Sequence, residues 1–233
     1  MNILLLFDID GTLVDTDGAG LESLREGFYA SFPERKADAF PVLDLGGATD
    51  GSVVAFLFEH FEIENRDEHR ETFFARYEAA LEKTLARFRE EGRGRALPGV
   101  TPLLEALARR REEFVMALLT GNTQSGARIK LSHFGLDRHF DFGAFGCDHP
   151  ERNELGAIAL RRARESLGRE FSADRVVVIG DTLKDIACAR ACGARVLAVA
   201  TGTVPYEELE AAGPDAILRD LSPDRFNVYS AGT

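Results

Sequence analysis

An apolar run without alternation opens the chain and ends at two acidic residues, in the segment LLLFDIDGTLVD that starts at Leu4. Such a run is typical of a strand buried on both faces of a parallel sheet. Asp8 therefore falls at the carboxyl end of a buried strand, where open α/β sheets place their ligand sites, and Asp10 points to the same side. Two carboxylates this close repel each other unless a cation or a shared proton relieves them. The alternative is a pair of surface aspartates that merely follow a strand.

The pattern changes to helical spacing from Asp17 to about Gly92. Three sets of apolar positions fit three helix faces: Leu21, Leu24, Phe28 and Phe32; Val53, Val54, Leu57, Phe58 and Phe61; Phe73, Phe74, Tyr77, Leu81, Leu85 and Phe88. A glycine turn at 46–47 separates the first two stretches, and Asp50 is a candidate helix cap after it. Residues 91–99 have the composition of a linker. The pattern predicts a helical insertion of about 75 residues after the first strand.

From Val100 onward, helical and strand patterns alternate with short connections. The predicted helices are 101–111, 123–134, 154–167, 183–192 and 206–212, and the predicted strands are 114–119, 140–145, 175–179, 195–199 and 216–218. This alternation predicts an α/β fold, a doubly wound and mostly parallel sheet with right-handed crossovers. In a doubly wound sheet the chain reverses direction beside the first strand, so the strands starting near residues 4, 114 and 175 should flank one crevice.

Polar residues follow each of these three strands. Asp8 and Asp10 follow the first, Thr120 the second, and Asp181 the third, with Asp185 one turn into the next helix. Alone, the segment GDTLKD at 180–185 is as easily a simple helix cap. Together with the first two acids, it predicts three or four carboxylates in one cleft, which fits a hard divalent cation, Mg²⁺ best.

Composition and charge limit the classes of binding partner and the cellular compartment that we expect. The 233 residues are 45% apolar and 29% charged, and the net charge of −11 argues against nucleic acid and anionic membranes as partners. No apolar run approaches the roughly 20 residues of a membrane span, and no signal peptide is predicted. Three cysteines, an odd and sparse set, favour a reducing compartment, so we expect a cytoplasmic protein. The sequence gives no indication of the oligomeric state.

Three segments together carry a family resemblance: DIDGT at 8–12, LLTGN at 118–122 and GDTLKD at 180–185. The chain resembles the haloacid dehalogenase superfamily of hydrolases, and most closely its phosphatases with a helical cap inserted after the first motif, such as phosphoglycolate phosphatases. The resemblance implies an α/β core formed by residues 1–15 and 93–233 and a cap formed by residues 16–92. It also implies hydrolysis of a phosphomonoester on a small phosphorylated metabolite.

The resemblance assigns roles to the strand-end residues. Asp8 is the implied nucleophile, which forms an aspartyl-phosphate, and Asp10 the acid that protonates the leaving alcohol and then activates water. Thr120 and the backbone amides of Gly121 and Asn122 are implied to hold phosphoryl oxygens. The resemblance extends substrate binding to Gly11 and Thr12 of the first motif. The implied Mg²⁺ ligands are Asp8, the carbonyl of Asp10 and Asp181, with Asp185 as a ligand or an orienting residue.

The family usually also supplies a lysine before the helix that precedes the third motif. Residues 147–154 contain no lysine here, so Arg152 is the expected active-site cation, because it opens that helix and can bridge Asp8 and a phosphoryl oxygen. An exposed arginine on a solvated helix face is the alternative, with Lys184 as the reserve cation. A lone His149 in a loop is more simply explained as solvated.

Substrate choice is only weakly indicated. The loop 46–50, with Thr49, is expected to face the site from the cap, or else it is a plain interhelical turn. A closing cap favours a small substrate such as phosphoglycolate or a sugar phosphate. Arg25 is a candidate partner for an anionic leaving group, and an exposed arginine on a helix surface is the simpler alternative. Two other functions stay open: a phosphomutase similar to β-phosphoglucomutase, although the histidine expected after DIDGT is missing, and a non-catalytic phospho-ligand binding module. A receiver-like signalling domain would not need the helical insertion.

Overall fold

A six-stranded parallel sheet forms the centre of the protein, in the order β5-β4-β1-β6-β7-β8. The computed structural model describes residues 2–226; residue 1 and residues 227–233, assigned to the core from sequence, lie outside the described residues. The strands are β1 Ile3–Phe7, β4 Phe114–Leu119, β5 Gly143–Ala144, β6 Val176–Gly180, β7 Arg195–Val199 and β8 Ala216–Leu218, and a separate pair is β2 Val14–Asp15 and β3 Arg95–Ala96. The predicted α/β class with a mostly parallel sheet is confirmed.

The central strand β1 is buried on both faces, as its unbroken apolar run predicts. Leu5 and Phe7 belong to one hydrophobic core, while Leu4 and Leu6 belong to a second core on the opposite face. The helices that cover the sheet are α4 Val100–Ala108, α5 Gln124–His133, α6 Arg152–Leu167, α7 Leu183–Ala191 and α8 Tyr206–Ala211. The sheet is therefore a middle layer, and the functional residues at its carboxyl edge sit on rigid strands.

The chain segment between β1 and β4 forms a helical layer. It contains α1 Ala19–Ser31, α2 Asp50–His60 and α3 Asp67–Glu90. Its side chains form a third core, rich in phenylalanine, around Phe28, Phe58 and Phe73. Helices α1 and α3 pack closely because Gly27 has no side chain: a Cβ there would lie 2.7 Å from the Cα of Tyr77. Among the described helices, none combines the length and apolarity needed to cross a bilayer.

Three local expectations are wrong. Thr49, not Asp50, caps α2, because its side-chain oxygen accepts a hydrogen bond from the Ser52 amide at 3.1 Å. Leu21 is not in the helical core but 43% exposed. The linker at 91–99 contains β3, which pairs antiparallel with β2. Two-residue strands are too short to show an alternation in sequence, so this pairing of the outgoing and returning chain could not be predicted.

Candidate active site

The polar residues that follow three adjacent strands meet at one edge of the sheet. Asp8 follows β1, Thr120 follows β4 and Asp181 follows β6, and the order β4-β1-β6 makes these strands neighbours. One carboxylate oxygen each from Asp8, Asp181 and Asp185 lies within 4.8 Å of the others, and all three residues are buried. The sheet topology thus brings together acids that are more than 170 residues apart in the chain.

Arg152, the first residue of α6, is the buried cation beside the acids. Its Nη2 lies 3.3 Å from Asp8 Oδ1 and 2.5 Å from Asp185 Oδ1. Burial lowers the pKa of the guanidinium, but Asp185 and Asp8 outweigh burial and leave that pKa raised, so the charge is permanent. The reserve candidate Lys184 is exposed, and His149 does not line the cavity described below. The geometry therefore favours Arg152 over both.

Asp185 is fully buried and both of its carboxylate oxygens have partners. Oδ1 accepts from Arg152, and Oδ2 accepts from the Thr182 amide at 3.0 Å and from the Thr182 hydroxyl at 2.7 Å. Thr182 in turn caps α7, so these two residues form a capping box. The helix-cap alternative thus describes Thr182 correctly. It leaves Asp185 better placed to orient Arg152 than to bind an ion directly.

Asp181 has one hydrogen-bonding partner and two glycines against its side chain. The Thr12 hydroxyl donates to its Oδ1 at 2.9 Å. A Cβ at Gly11, whose φ is +77°, would lie 2.3 Å from Asp181 Oδ2, and one at Gly202 would lie 1.7 Å away. Neither position tolerates a side chain without moving the carboxylate. Gly202 was missed in the sequence, where it looks like any loop glycine.

Burial and mutual repulsion raise the pKa values of two of these acids. Burial is the largest cause for Asp181, followed by the charges of Asp185 and Asp8, and together they raise its pKa to about 8. Burial likewise raises the pKa of Asp8 to about 6, although Arg152 opposes the shift. Groups crowded in this way are relieved by a positive charge placed between them.

Asp10 is held by a residue that the sequence analysis missed. Lys130, on α5, is 4% exposed, and its Nζ lies 2.8 Å from Asp10 Oδ1, 2.7 Å from Asp10 Oδ2 and 2.6 Å from Asn122 Oδ1. Asn122 Nδ2 also donates to Asp10 Oδ2 at 2.8 Å and to Thr120 Oγ1 at 2.9 Å. Asp10 is thereby fixed on one side, while its side chain keeps 43% exposure on the other.

A cavity of about 480 Å³ lies above these residues. Its floor, at the sheet edge, consists of Asp8, Asp10, Thr120, Arg152 and Asp181. Its roof consists of Leu21, Leu24, Val53 and Tyr77 of the helical layer, together with Leu45 of the loop before α2. We call these two sets the floor and the roof. Acidic and basic groups thus lie mainly on one side of the cavity and apolar groups on the other.

The strap, residues 45–48, connects roof and floor. A Cβ at Gly121 would lie 1.9 Å from the Ala48 carbonyl oxygen, and a Cβ at Gly47 would lie 2.7 Å from the Thr182 hydroxyl. Next to the strap, the Asp50 amide donates to the Gly121 carbonyl at 2.7 Å. The strap therefore lies directly on two of the loops that follow sheet strands.

Two residues expected to bind substrate lie elsewhere. The Thr49 hydroxyl donates to the Pro150 carbonyl at 2.7 Å, and Thr49 does not line the cavity because its side chain is committed to capping α2. Thr12 is fully buried beneath Asp181 and also outside the lining. Asp50 does line the cavity, and its Oδ2 accepts from the Thr123 amide at 2.8 Å. Burial raises the pKa of Asp50 to about 6, against the opposing effect of Lys130.

The acidic group fits a divalent cation with oxygen ligands. Carboxylates packed within 4.8 Å of one another, with raised pKa values, are what a hard ion such as Mg²⁺ stabilises. Among the described residues, Asp181 keeps one carboxylate oxygen without a hydrogen-bond donor, whereas both oxygens of Asp185 accept hydrogen bonds. The donor set therefore suits Mg²⁺ on Asp8 and Asp181, with Asp185 behind them.

Comparisons with known proteins identify the family of this chain. A probable phosphatase, IndB, of Dickeya dadantii is 30% identical over 95% of this chain and 91% of its own length. A phosphoglycolate phosphatase of Agrobacterium fabrum is 28% identical over 94% of this chain and 89% of its own. The crystal structure of CbbY from Rhodobacter sphaeroides in complex with phosphate has the same fold, with a TM-score of 0.69 and 21% identity over 95% of this chain and 96% of that chain. The model of the haloacid dehalogenase-like hydrolases matches residues 5–190, so this chain is a member of that family.

Proposed function

We propose that this enzyme is a Mg²⁺-dependent phosphatase that hydrolyses small phosphomonoesters through an aspartyl-phosphate on Asp8. The observation that carries the proposal is the position of the Asp8 carboxylate. It lies at the end of the central strand, beside the buried Arg152 and within 4.8 Å of the Asp181 carboxylate. A carboxylate surrounded by cation sites is suited to attack a phosphorus atom, since the phosphoryl charge is neutralised where it approaches.

The floor offers groups for each proton and charge in the reaction. Asp8 attacks phosphorus, and the bond from phosphorus to the ester oxygen breaks. Asp10 donates a proton to that leaving oxygen, then takes a proton from the water that hydrolyses the intermediate. Lys130 and Asn122 hold Asp10 in one orientation for both steps. Water attack releases phosphate and restores the Asp8 carboxylate.

Phosphoryl oxygens have donors on the floor. Thr120 Oγ1 accepts hydrogen bonds from the amide and the side chain of Asn122, which leaves its own proton free to donate. Arg152 uses Nη2 for both of its ion pairs, and its guanidinium lines the cavity. A bound ion on Asp8, the Asp10 carbonyl and Asp181 would neutralise charge on the phosphoryl group. With the relatives named as phosphatases, these donors support phosphoryl transfer.

We also propose that residues 16–92 act as a cap over an α/β core. The separate core of α1–α3 and the contact of the strap with Gly121 and Thr182 support this division. A cap excludes water from the reacting atoms, which protects the aspartyl-phosphate until the leaving alcohol departs.

Phosphate release from a panel of phosphomonoesters tests the proposal. Wild-type enzyme should release phosphate with Mg²⁺ and not with a chelator, and rapid acid quenching should trap a hydroxylamine-sensitive phosphoenzyme. Failure to turn over any ester of a broad panel would contradict the proposal and favour the binding module. The phosphomutase alternative predicts transfer to a second hydroxyl of the substrate instead of to water. Within residues 2–226, no histidine lines the cavity, so the histidine expected of the phosphomutase is missing from the site as well as from the motif.

A further inference from the structure

The cavity has few positive charges, and each already has a partner. Five carboxylates and two cationic side chains line it: Asp8, Asp10, Asp15, Asp50 and Asp181 against Lys130 and Arg152. Lys130 contacts Asp10, and Arg152 contacts Asp8 and Asp185. Within residues 2–226, no third cation faces the cavity. Once a phosphoryl group is bound on the floor, neither cation is left to pair with a charged leaving group.

The roof offers apolar surface to the rest of the substrate. Leu21 and Leu24 come from α1, Leu45 from the strap, Val53 from α2 and Tyr77 from α3. Three segments thus contribute aliphatic side chains to the same wall, and α3 contributes the ring of Tyr77. A wall of this composition binds hydrocarbon and offers no counter-charge to an anion.

Acidic residues also line the cavity beside the helical layer, and the cation next to that layer is already paired: a Cβ at Gly20 of α1 would lie 3.7 Å from Lys130 Nζ, which contacts Asp10. Asp50 opens α2 and Asp15 lies on β2, and both line the cavity. Arg25, which the sequence offered as a partner for an anionic leaving group, is exposed and does not line the cavity. Lys184 is exposed as well; its stem lies next to Gly47, but it is also absent from the lining.

We infer that the natural leaving group is an uncharged alcohol with an apolar portion that contacts the roof, and that the site discriminates against leaving groups that carry a carboxylate or a second phosphate. This inference rests on the proposed phosphatase function. An anion placed against the roof would lose its water without gaining an unpaired cation and would face Asp50, whereas the other carboxylate, Asp15, is paired with Arg95 at 3.2 Å. An apolar alcohol would bury hydrocarbon there instead.

A matched pair of substrates isolates the charge of the leaving group. We compare kcat/KM at pH 8 with Mg²⁺ for 2-phosphoglycolate and its amide, which differ in one charge and hardly in size. The amide should be hydrolysed with a kcat/KM about tenfold higher or more. Butyl phosphate should also exceed ethyl phosphate, because the longer chain reaches the roof, and pyrophosphate should be a poor substrate.

Two outcomes are separable. This inference would be overturned, and the phosphatase function would stand, if phosphoglycolate were hydrolysed as fast as its amide or faster. Hydrolysis of pyrophosphate as fast as butyl phosphate or faster would have the same consequence. Hydrolysis of none of these esters, or of a broader panel, would overturn the phosphatase function and this inference with it.

A positive charge introduced on the roof should largely remove the preference for the amide. Leu21 is 43% exposed at the cavity, so Leu21→Lys adds a cation without burying it. The variant should raise kcat/KM for phosphoglycolate relative to its amide by about tenfold. Leu167→Lys is the matched control, since Leu167 is 39% exposed on α6 and outside the cavity, and its ratio should equal that of the wild type. An unchanged ratio in a folded Leu21→Lys protein would show that the leaving group does not lie along this wall.

Discussion

Floor and roof of the same cavity are held in place by different forces. Floor side chains are fixed by hydrogen bonds and ion pairs, as when Lys130 contacts both oxygens of Asp10. Roof side chains belong to, or lie beside, a core packed by phenylalanines, with Phe28 and Phe61 rings 4.4 Å apart. Polar networks fix geometry tightly, whereas apolar walls tolerate changes of shape. The comparison teaches that reaction chemistry and leaving-group preference can vary independently in this molecule.

The largest effect should come from the floor, through Asp8→Asn. The amide cannot serve as the nucleophile, so kcat should fall by at least about 10⁴-fold on every ester, whatever its leaving group. Phosphate release and trapping of the phosphoenzyme measure the loss. Asp141→Asn, an exposed aspartate before β5, is the control and should keep wild-type rates. Turnover by Asp8→Asn near the wild-type rate would show that Asp8 is not the nucleophile.

Lys130→Met should have the next largest effect. Loss of the ammonium frees Asp10 from two of its contacts, so kcat should fall by about 100-fold while the preference between leaving groups stays unchanged. Lys130→Arg should recover part of the rate, which simple loss of packing would not explain. Lys184→Met is the matched control and should stay within about twofold of wild type, because Lys184 is exposed outside the cavity. A larger loss in Lys184→Met would reinstate Lys184 as an active-site cation.

Gly47→Ala should produce a moderate effect through the strap. Its φ is +61°, and the added Cβ would lie 2.7 Å from the Thr182 hydroxyl and 2.9 Å from Lys184 Cβ, so the strap must shift away from the floor. We expect kcat/KM to fall by about fivefold. Gly92→Ala provides the control, since its φ is +70° with nothing within 4 Å of the added atom. Both variants should lose about 1 kcal/mol of stability from backbone strain, but only the first should lose activity.

The smallest effect concerns the stability of the floor itself. The raised pKa values of Asp8 and Asp181, about 6 and about 8, mean that the folded protein holds protons which the unfolded chain has released. Without metal, the contribution of these two acids to the free energy of unfolding should therefore fall from about pH 4, where unfolded aspartates ionise, to about pH 6 for Asp8 and about pH 8 for Asp181. Mg²⁺ needs the deprotonated carboxylates, so the rise in Tm that it produces should be larger at pH 8.5 than at pH 6, by about 5 °C.

Thermal melts with Mg²⁺ or chelator at both pH values measure this difference. Asp181→Asn should remove most of it, whereas Asp141→Asn should not. An equal Tm increment at pH 6 and pH 8.5 would argue that the acids do not bind the ion.

Much of the floor could be predicted from sequence because buried parallel strands leave a clear pattern. Asp8, Asp181 and Thr120 follow apolar runs, and the topology of a parallel sheet then dictates that their strand ends meet. Arg152 was expected because the family resemblance implies a cation in this stretch and Arg152 begins the helix. Lys130 was missed because a lysine in a helix is usually solvated. One signal existed: it shares the buried face of α5 with Ala127 and Leu131, where a charged residue needs a partner.

The roof was far less predictable. Leu21 has the spacing of a core residue, yet it faces the cavity, because periodicity identifies a helix face but not what lies opposite it. Thr49 and Thr12 looked like substrate ligands by their motifs, but each hydroxyl is used by a neighbouring group of the protein. Such local competition for hydrogen bonds depends on tertiary contacts that a sequence pattern does not contain.

The short pairing of β2 with β3 has a consequence for how this architecture diversifies. The chain leaves the sheet at Val14–Asp15 and returns at Arg95–Ala96, and the two crossings are hydrogen-bonded side by side, so the departure and return points lie about 5 Å apart. Any insert whose own ends meet at that spacing can be grafted between them without disturbing the catalytic strands. If residues 16–92 are the cap that we propose, substrate specificity can evolve by replacement of that whole insertion while Asp8, Thr120 and Asp181 keep their places at the strand ends.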